Sequence, residues 1–231
     1  MTVLFWDFDG TLVVHTHLWA DCLFRALKET LPDSPVTYDM IRSCLSHGFT
    51  WHTPEEDYTG IRGEKWWEHM NRHFYQSYLK CSVPEKEAKL AAEKIRGLIK
   101  LKENYFLFDD ALKTLEAVKK LGYTNVILSN NYPDMDEVVD ALGLTKYFDG
   151  MIVSAVEGYD KPRPELFEIA KSRFPAEKYY MIGDNPKADI LGGKNAGMTT
   201  ILVHKDPVED ADYCFPDLYS IVRLLNRSEN V

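Results

Sequence analysis

Short apolar runs alternate with helix-like stretches through the second half of the chain. The apolar runs lie at residues 3–6, 125–129, 151–154, 179–183 and 199–203. Continuous apolar runs of this length are typical of strands in a parallel sheet that is covered on both faces. Helices are predicted between and after them, at residues 109–121, 134–142, 164–173, 187–196 and 217–226. This alternation predicts βαβ units, and therefore an α/β fold with a doubly wound parallel sheet.

The region between the first apolar run and about residue 108 has a different pattern. It contains helical stretches at residues 17–31, 36–46, 63–80 and 84–101, and no convincing pair of strands. The simplest arrangement is an all-helical domain inserted after the first strand. The sequence therefore predicts a Rossmann-like core formed by residues 1–13 and 105–231, and a helical cap formed by residues 14–104.

Composition excludes several classes of protein. The net charge is −9, from 27 basic and 36 acidic residues, and no basic stripe is present, so a nucleic-acid partner is not expected. No apolar stretch approaches the roughly 20 residues that a membrane span requires, and no secretory signal pattern is found at the start. The four cysteines are scattered without a C-x-x-C pair, which favours a reducing, cytoplasmic location without disulfides or zinc.

Polar residues cluster where the predicted strands end. In an open α/β sheet, ligands bind beyond the carboxyl ends of the strands. The residues at these ends are Asp7, Asp9, Ser129, Asn130, Lys161, Asp184 and Asp189. Crowded carboxylates are costly away from water, and a divalent cation with oxygen ligands such as Mg²⁺ would offset that cost. The pattern therefore favours a cation-assisted reaction site at this edge.

Four segments resemble the haloacid dehalogenase superfamily, specifically its phosphatases with a helical cap after the first strand. They are DFDGT at residues 7–11, LSN at 128–130, DKPRPELF at 160–167 and GDNPKAD at 183–189. Their order, spacing and strand context agree with the family over residues 1–13 and 105–205. The resemblance implies a Mg²⁺-dependent phosphomonoesterase that acts on a small-molecule phosphate ester.

The resemblance also implies a role for each core residue. Asp7 would attack phosphorus and form an aspartyl-phosphate, while Asp9 would serve as general acid and then general base. Ser129, Lys161 and the main chain around Asn130 would bind the phosphoryl oxygens.

A Mg²⁺ ion would, by the same resemblance, be held by four residues. Asp7 and Asp184 would supply carboxylate oxygens, and Asp9 would supply its main-chain carbonyl. Asp189 would be either a further ligand or a residue that orients the ligands.

The cap is predicted to contact the substrate's leaving group. The candidates are His15, Arg62 and Lys65, because an anionic or polyhydroxylated leaving group requires hydrogen-bond donors. Of three alternatives to a phosphatase, a phosphomutase stays open, whereas Asp7 and Asp9 weigh against the other two. A phosphomutase would keep all the core residues. A haloalkanoate dehalogenase would lack the second aspartate, and a non-catalytic binding protein would have lost Asp7 or Asp9. The sequence leaves the substrate and the oligomeric state open.

Overall fold

A six-stranded parallel sheet forms the centre of the protein. The computed structural model describes residues 1–15, 17–45 and 47–228. The strands of this sheet are β1 (Thr2–Trp6), β4 (Thr124–Ser129), β5 (Gly150–Val153), β6 (Lys178–Gly183), β7 (Thr199–Val203) and β8 (Tyr213–Phe215). Their spatial order is β5-β4-β1-β6-β7-β8, which places β1 between β4 and β6. The order reverses direction next to β1, so the carboxyl end of β1 lies at the switch point where such sheets bind ligands.

Strand β1 explains why the predicted strands are apolar at every position. Leu4 and Trp6 belong to the apolar cluster on one face of the sheet, while Val3 and Phe5 belong to the cluster on the other. All four are fully buried. The predicted doubly wound α/β fold is therefore confirmed. Strand β8 was not predicted, because it has three residues and none of them is fully buried.

Helices cover both faces of the sheet. They are α5 (Ala111–Lys120), α6 (Met135–Ala141), α7 (Ser154–Glu157), α8 (Pro164–Arg173), α9 (Gly192–Asn195) and α10 (Tyr219–Ser228). Apolar residues of α5, α6 and α10 join the cluster that contains Leu4, whereas α8 joins the cluster that contains Val3. The helix predicted at residues 187–196 begins instead as a π-helical segment, Pro186–Leu191, before α9.

Four further helices separate β1 from the rest of the core. They are α1 (Leu18–Thr30), α2 (Tyr38–Cys44), α3 (Glu64–Lys80) and α4 (Glu85–Ile99). Helix α1 packs against α2 and α4, and α3 packs against α4. Among the described residues, no helix is both long and apolar enough to cross a membrane.

The chain enters and leaves this helical region at one place. Strand β2 (Val13–Val14) pairs antiparallel with β3 (Phe106–Leu107), so the outgoing and returning segments are joined by hydrogen bonds. We propose on this basis the division expected from sequence, with residues 14–104 as the cap and residues 1–13 and 105–231 as the core.

Candidate active site

The carboxyl ends of three adjacent strands bring the predicted core residues together. Asp7 follows β1, Ser129 ends β4, and Asp184 follows β6. The main-chain amide of Asp7 donates to the carbonyl of Ile182 at 2.8 Å, which extends the pairing of β1 with β6 to the site itself. These residues, with Asp9 and Lys161, line one pocket of about 450 Å³.

Lys161 is a buried ammonium that bridges two carboxylates. Its side chain is 1% exposed, and Nζ lies 2.9 Å from Asp7 Oδ1 and 2.6 Å from Asp189 Oδ1. The third proton is donated to the carbonyl of Leu128 at 2.8 Å. Burial opposes the charged form, but Asp189 and Asp7 together raise the pKa of Lys161 above its ordinary value. Lys161 is therefore a fixed positive charge beside Asp7 at neutral pH.

Asn130 holds the backbone of Lys161 in place. Its side-chain amide donates to the carbonyl of Lys161 at 3.0 Å and its Oδ1 accepts from the Lys161 main-chain amide at 2.7 Å. Because this side chain is engaged, a contact between Asn130 and phosphate would have to come from its main chain, as the resemblance implied. That contact stays a prediction.

Three carboxylates converge next to the lysine. Asp7, Asp184 and Asp189 each offer one oxygen, and these oxygens lie within 4.8 Å of one another. Burial first, and then the charge of Asp7, raise the pKa of Asp184. Burial also raises the pKa of Asp189 to about 7, although Lys161 opposes that rise. Three carboxylates face the buried ammonium of Lys161 and the half-exposed ammonium of Lys205, 3.4 Å from Asp184 Oδ2, so negative charge is still in excess when all are ionised, which suits a divalent cation.

Asp9 is clamped from two sides. One carboxylate oxygen lies 3.1 Å from His15 Nε2, and the other accepts from Asn131 Nδ2 at 2.7 Å. Asn131 is itself fixed, since its main-chain amide donates to Ser154 Oγ and its Oδ1 accepts from the amide of Tyr132. Asn131 was not among the predicted site residues. Its position two residues beyond Ser129 at the end of β4 was the available signal.

The hydroxyl of Ser129 is buried without a hydrogen-bond partner among the described residues. A buried polar group without a partner costs roughly 1–3 kcal/mol, so native proteins rarely leave one unexplained. Because Ser129 lines the pocket beside Lys161, this hydroxyl is placed to contact a ligand there.

The predicted cap residues divide between the pocket and the surface. His15 lies in the pocket and contacts Asp9, whereas Arg62 and Lys65 are exposed and lie outside the pocket lining. The structure therefore does not bring Arg62 and Lys65 to the site. Besides His15, the cap residues that line the pocket are Leu18, Trp19, Trp51, His52 and Pro54. Trp51, His52 and Pro54 were not predicted as site residues, because they lie in or next to a short turn with no helical periodicity.

Comparison with known proteins agrees with this geometry. A family model described as a haloacid dehalogenase-like hydrolase matches residues 1–197. The chain belongs to this family. This match confirms the family resemblance that the four sequence segments predicted.

Several curated relatives of this haloacid dehalogenase-like hydrolase are named phosphatases. Glyceraldehyde 3-phosphate phosphatase of Pyrococcus furiosus is 34% identical over 128 residues, which cover 51% of this chain and 53% of that protein. Phosphoserine phosphatase of Thermus thermophilus is 29% identical over 139 residues, with 59% and 54% covered. The chain thus spans about half the length of these relatives.

Solved structures of the same family superpose over nearly the whole chain. The hydrolase YfnB of Bacillus subtilis, crystallised with magnesium, matches with a TM-score of 0.71 and 25% identity over 97% of this chain and 98% of that one. A 2-haloacid dehalogenase of Pseudomonas syringae matches with a TM-score of 0.72 and 22% identity over 99% of each chain. This second likeness concerns the fold alone.

Proposed function

We propose that the protein is a Mg²⁺-dependent phosphomonoesterase that hydrolyses a small-molecule phosphate through an aspartyl-phosphate on Asp7. The observation that carries this proposal is the position of Asp7, which lies between a buried ammonium and two further carboxylates at the switch point of the sheet. Relatives named as phosphatases of glyceraldehyde 3-phosphate and phosphoserine support the same reaction class.

In the first step, a carboxylate oxygen of Asp7 attacks phosphorus, and the bond from phosphorus to the leaving oxygen breaks. Asp9, in its protonated form, donates its proton to that oxygen, so the leaving group departs as a neutral alcohol. The ammonium of Lys161 and the hydroxyl of Ser129 stabilise the charge that develops on the transferring oxygens.

In the second step, Asp9 removes a proton from water, which attacks the phosphorus of the aspartyl-phosphate. Cleavage of the bond between phosphorus and the Asp7 oxygen releases inorganic phosphate and restores the carboxylate. His15 and Asn131 hold Asp9 in one orientation through both steps.

The donor set fits Mg²⁺, which prefers oxygen ligands and keeps several waters. Asp7 and Asp184 would hold the ion with carboxylate oxygens and Asp9 with its main-chain carbonyl, while Asp189 would act as a ligand or as an orienting group. Bound there, the ion would reduce the repulsion between the anionic nucleophile and the anionic substrate.

Gly10 gives a test of this ion site. A Cβ at Gly10 would lie 2.5 Å from Asp184 Oδ2, whereas a Cβ at Gly197 meets nothing within 4 Å, and both glycines have a left-handed φ, of +79° and +74°. We expect the left-handed φ to cost each variant roughly 1–2 kcal/mol of unfolding free energy, and Gly10→Ala to lose more than Gly197→Ala because its methyl group also meets Asp184. Because Asp184 must turn away from the added methyl group, Gly10→Ala alone should weaken Mg²⁺ binding, by about 10-fold or more. Isothermal titration with Mg²⁺ measures this, and equal affinities in the two variants would contradict it.

The clamp on Asp9 gives a second test. Asn131→Ala should lower kcat by roughly 10- to 100-fold for alkyl phosphates, because their leaving oxygen needs the proton that Asp9 donates. For aryl phosphates, whose leaving group departs readily as an anion, the loss should be several-fold smaller. Asn71→Ala, at an exposed position on α3, is the matched control. Equal losses for both substrate types would show that Asn131 does not act through Asp9.

The function itself is tested by phosphate release from a panel of phosphomonoesters. We expect turnover with Mg²⁺ that is lost in EDTA and restored by added Mg²⁺. A mutase would transfer the phosphoryl group to a second position without releasing phosphate, and a binding protein would do neither. No phosphate release from any ester by the Mg²⁺-loaded protein would overturn the proposal. The predicted cytoplasmic location stays a prediction.

A further inference from the structure

The pocket lies above the carboxylates, and its walls are largely apolar and aromatic whereas its floor is charged. Trp19 and Trp51 of the cap and Tyr132 of the core line it together with Leu18 and Pro54. We call Trp19, Trp51 and Tyr132 the aromatic wall. Rings of this kind supply large apolar contact area at fixed positions, and small-molecule sites are commonly built from them.

The aromatic wall is held rigidly from behind. The ring of Trp51 stacks on Phe49 with centroids 4.6 Å apart, and that of Trp19 lies 4.9 Å from Phe49 and 5.6 Å from Phe74. Trp19 also meets Tyr132 edge-on at 5.9 Å, which joins the cap part of the wall to the core part. Because these rings pack on one another, a ligand that contacts them need not order them first.

The same segment of the cap is docked onto the core beside Lys161. Arg163 Nη1 donates to the carbonyl of Glu56 at 2.8 Å, and the amide of Gly63 donates to the carbonyl of Ala155 at 2.9 Å. These contacts tie the cap segment that follows Trp51 to the part of the core that carries Lys161.

The walls offer little to a second negative charge. Lys161 already uses all three of its protons, and His15 Nε2 is engaged by Asp9. Burial, followed by the nearby His47, lowers the pKa of His52, so this imidazole is neutral at pH 7. Among the described residues that line the pocket, this leaves the exposed Lys187 and the unpartnered Nδ1 of His15 for any further anionic group.

We propose that the aromatic wall binds the leaving group of the substrate, and that the preferred substrates are phosphomonoesters whose alcohol carries an aromatic ring and no second anionic group. The proposal rests on the proposed phosphatase function. A phosphatase for a small hydrophilic ester, such as a triose phosphate or a phospho-amino acid, would show the opposite substrate preference.

Two esters with chemically similar leaving groups test the wall. Propyl phosphate and 2-phenylethyl phosphate both release a primary alcohol, so they differ chiefly in the ring. We expect kcat/KM to be about 10-fold or more higher for the phenylethyl ester, since a base or ring stacked on an aromatic side chain contributes at about this level. Glycerol 3-phosphate and 3-phosphoglycerate, tested beside them, should be poorer substrates than the phenylethyl ester, and the carboxylate of the latter should make it the poorest.

Variants of Trp51 test whether the preference for the aromatic ester arises at the aromatic wall. Trp51→Ala should reduce the preference for the ring, expressed as the ratio of the two kcat/KM values, to about 2-fold or less, because the phenylethyl ester loses more contact area than the propyl ester does. Trp51→Phe keeps an aromatic face and should keep most of the preference, which separates loss of the contact from loss of the fold. Tyr213→Ala, at an exposed ring on the edge strand β8, is the matched control and should change neither value.

The affinity of Asp7→Asn for each of the two esters, measured by titration in the presence of Mg²⁺, separates this proposal from the phosphatase proposal. Tighter binding of the phenylethyl ester, lost in Asp7→Asn combined with Trp51→Ala, supports the aromatic wall even if the wild type releases no phosphate. Phosphate release without a preference for the ring, or with a preference that Trp51→Ala leaves intact, would overturn the proposal for the aromatic wall. The proposed phosphatase function would stand.

Discussion

Asp7→Asn is expected to abolish phosphate release, with kcat reduced by about 10⁴-fold or more, the scale seen when a hydrolase loses its nucleophile. The asparagine amide is a poor nucleophile and cannot form the acyl phosphate. It also replaces a carboxylate that accepts from Lys161 at 2.9 Å. Steady-state phosphate release from a reactive aryl phosphate, followed to low turnover, measures the loss.

The loss in Asp7→Asn should come without unfolding. Asp7 is one of three crowded carboxylates, and its charge raises the pKa of Asp184. Removing that charge relieves repulsion, so the variant should unfold at the same temperature as the wild type, or higher, when Mg²⁺ is absent. Residual kcat within about 10-fold of wild type would show that Asp7 is not the nucleophile. A markedly lower unfolding temperature would show that its main role is structural.

Lys161→Met is expected to give the largest loss of stability among single substitutions at the site. It leaves the carboxylates of Asp7 and Asp189 without their shared ammonium, and Asp189 is completely buried. Removing one partner of a buried ion pair costs roughly 3–5 kcal/mol, because the remaining carboxylate must either keep its charge away from water or take up a proton. Denaturant titration at pH 7 measures the loss. Lys120→Met, at an exposed lysine that pairs with Glu116, is the control and should leave the free energy of unfolding nearly unchanged.

The loss in Lys161→Met should also depend on pH. Burial raises the pKa of Asp189 to about 7 even with the lysine present, and without it the pKa rises further. A carboxyl whose pKa is higher in the folded state than in the unfolded state binds its proton more tightly when folded. It therefore favours folding below its unfolded pKa of about 3.9, and this contribution disappears as the pH rises through the folded value. The variant should accordingly be less destabilised at pH 5.5 than at pH 8. A loss below about 1 kcal/mol at both pH values would contradict the described ion pairing.

The longer strands of the core were predictable because β1 and its neighbours are buried on both faces, whereas their order in the sheet was not predicted. Each contains a short apolar run, and polar residues follow close behind that run. Asp7, Ser129, Lys161 and Asp184 could be placed for the same reason, since the carboxyl ends of parallel strands meet at one edge. Asp189 could be included only because it follows Asp184 closely.

The contacts between cap and core were not predictable from the pattern of apolar and polar residues along the chain. Arg62 and Lys65 were chosen for their charge, yet both point to the surface, and the pocket is lined instead by Trp51 and its neighbours. Trp51 lies in a three-residue turn, Thr50–His52, where no periodicity indicates a buried side. Asn131 was missed for a related reason. Its contact with Asp9 depends on how two loops from distant parts of the chain meet.

The central claim is that Asp7 becomes phosphorylated during turnover. The most direct measurement is to mix the Mg²⁺-loaded protein with an aryl phosphate, quench it in acid within milliseconds, and locate the added phosphate by mass spectrometry. We expect a phosphorylated peptide carrying Asp7 in the wild type, sensitive to hydroxylamine as acyl phosphates are. Asp9→Asn should contain more of it, because the second step lacks its base, and Asp7→Asn should contain none. Steady phosphate release with no phosphorylated Asp7 in either the wild type or Asp9→Asn would contradict the account.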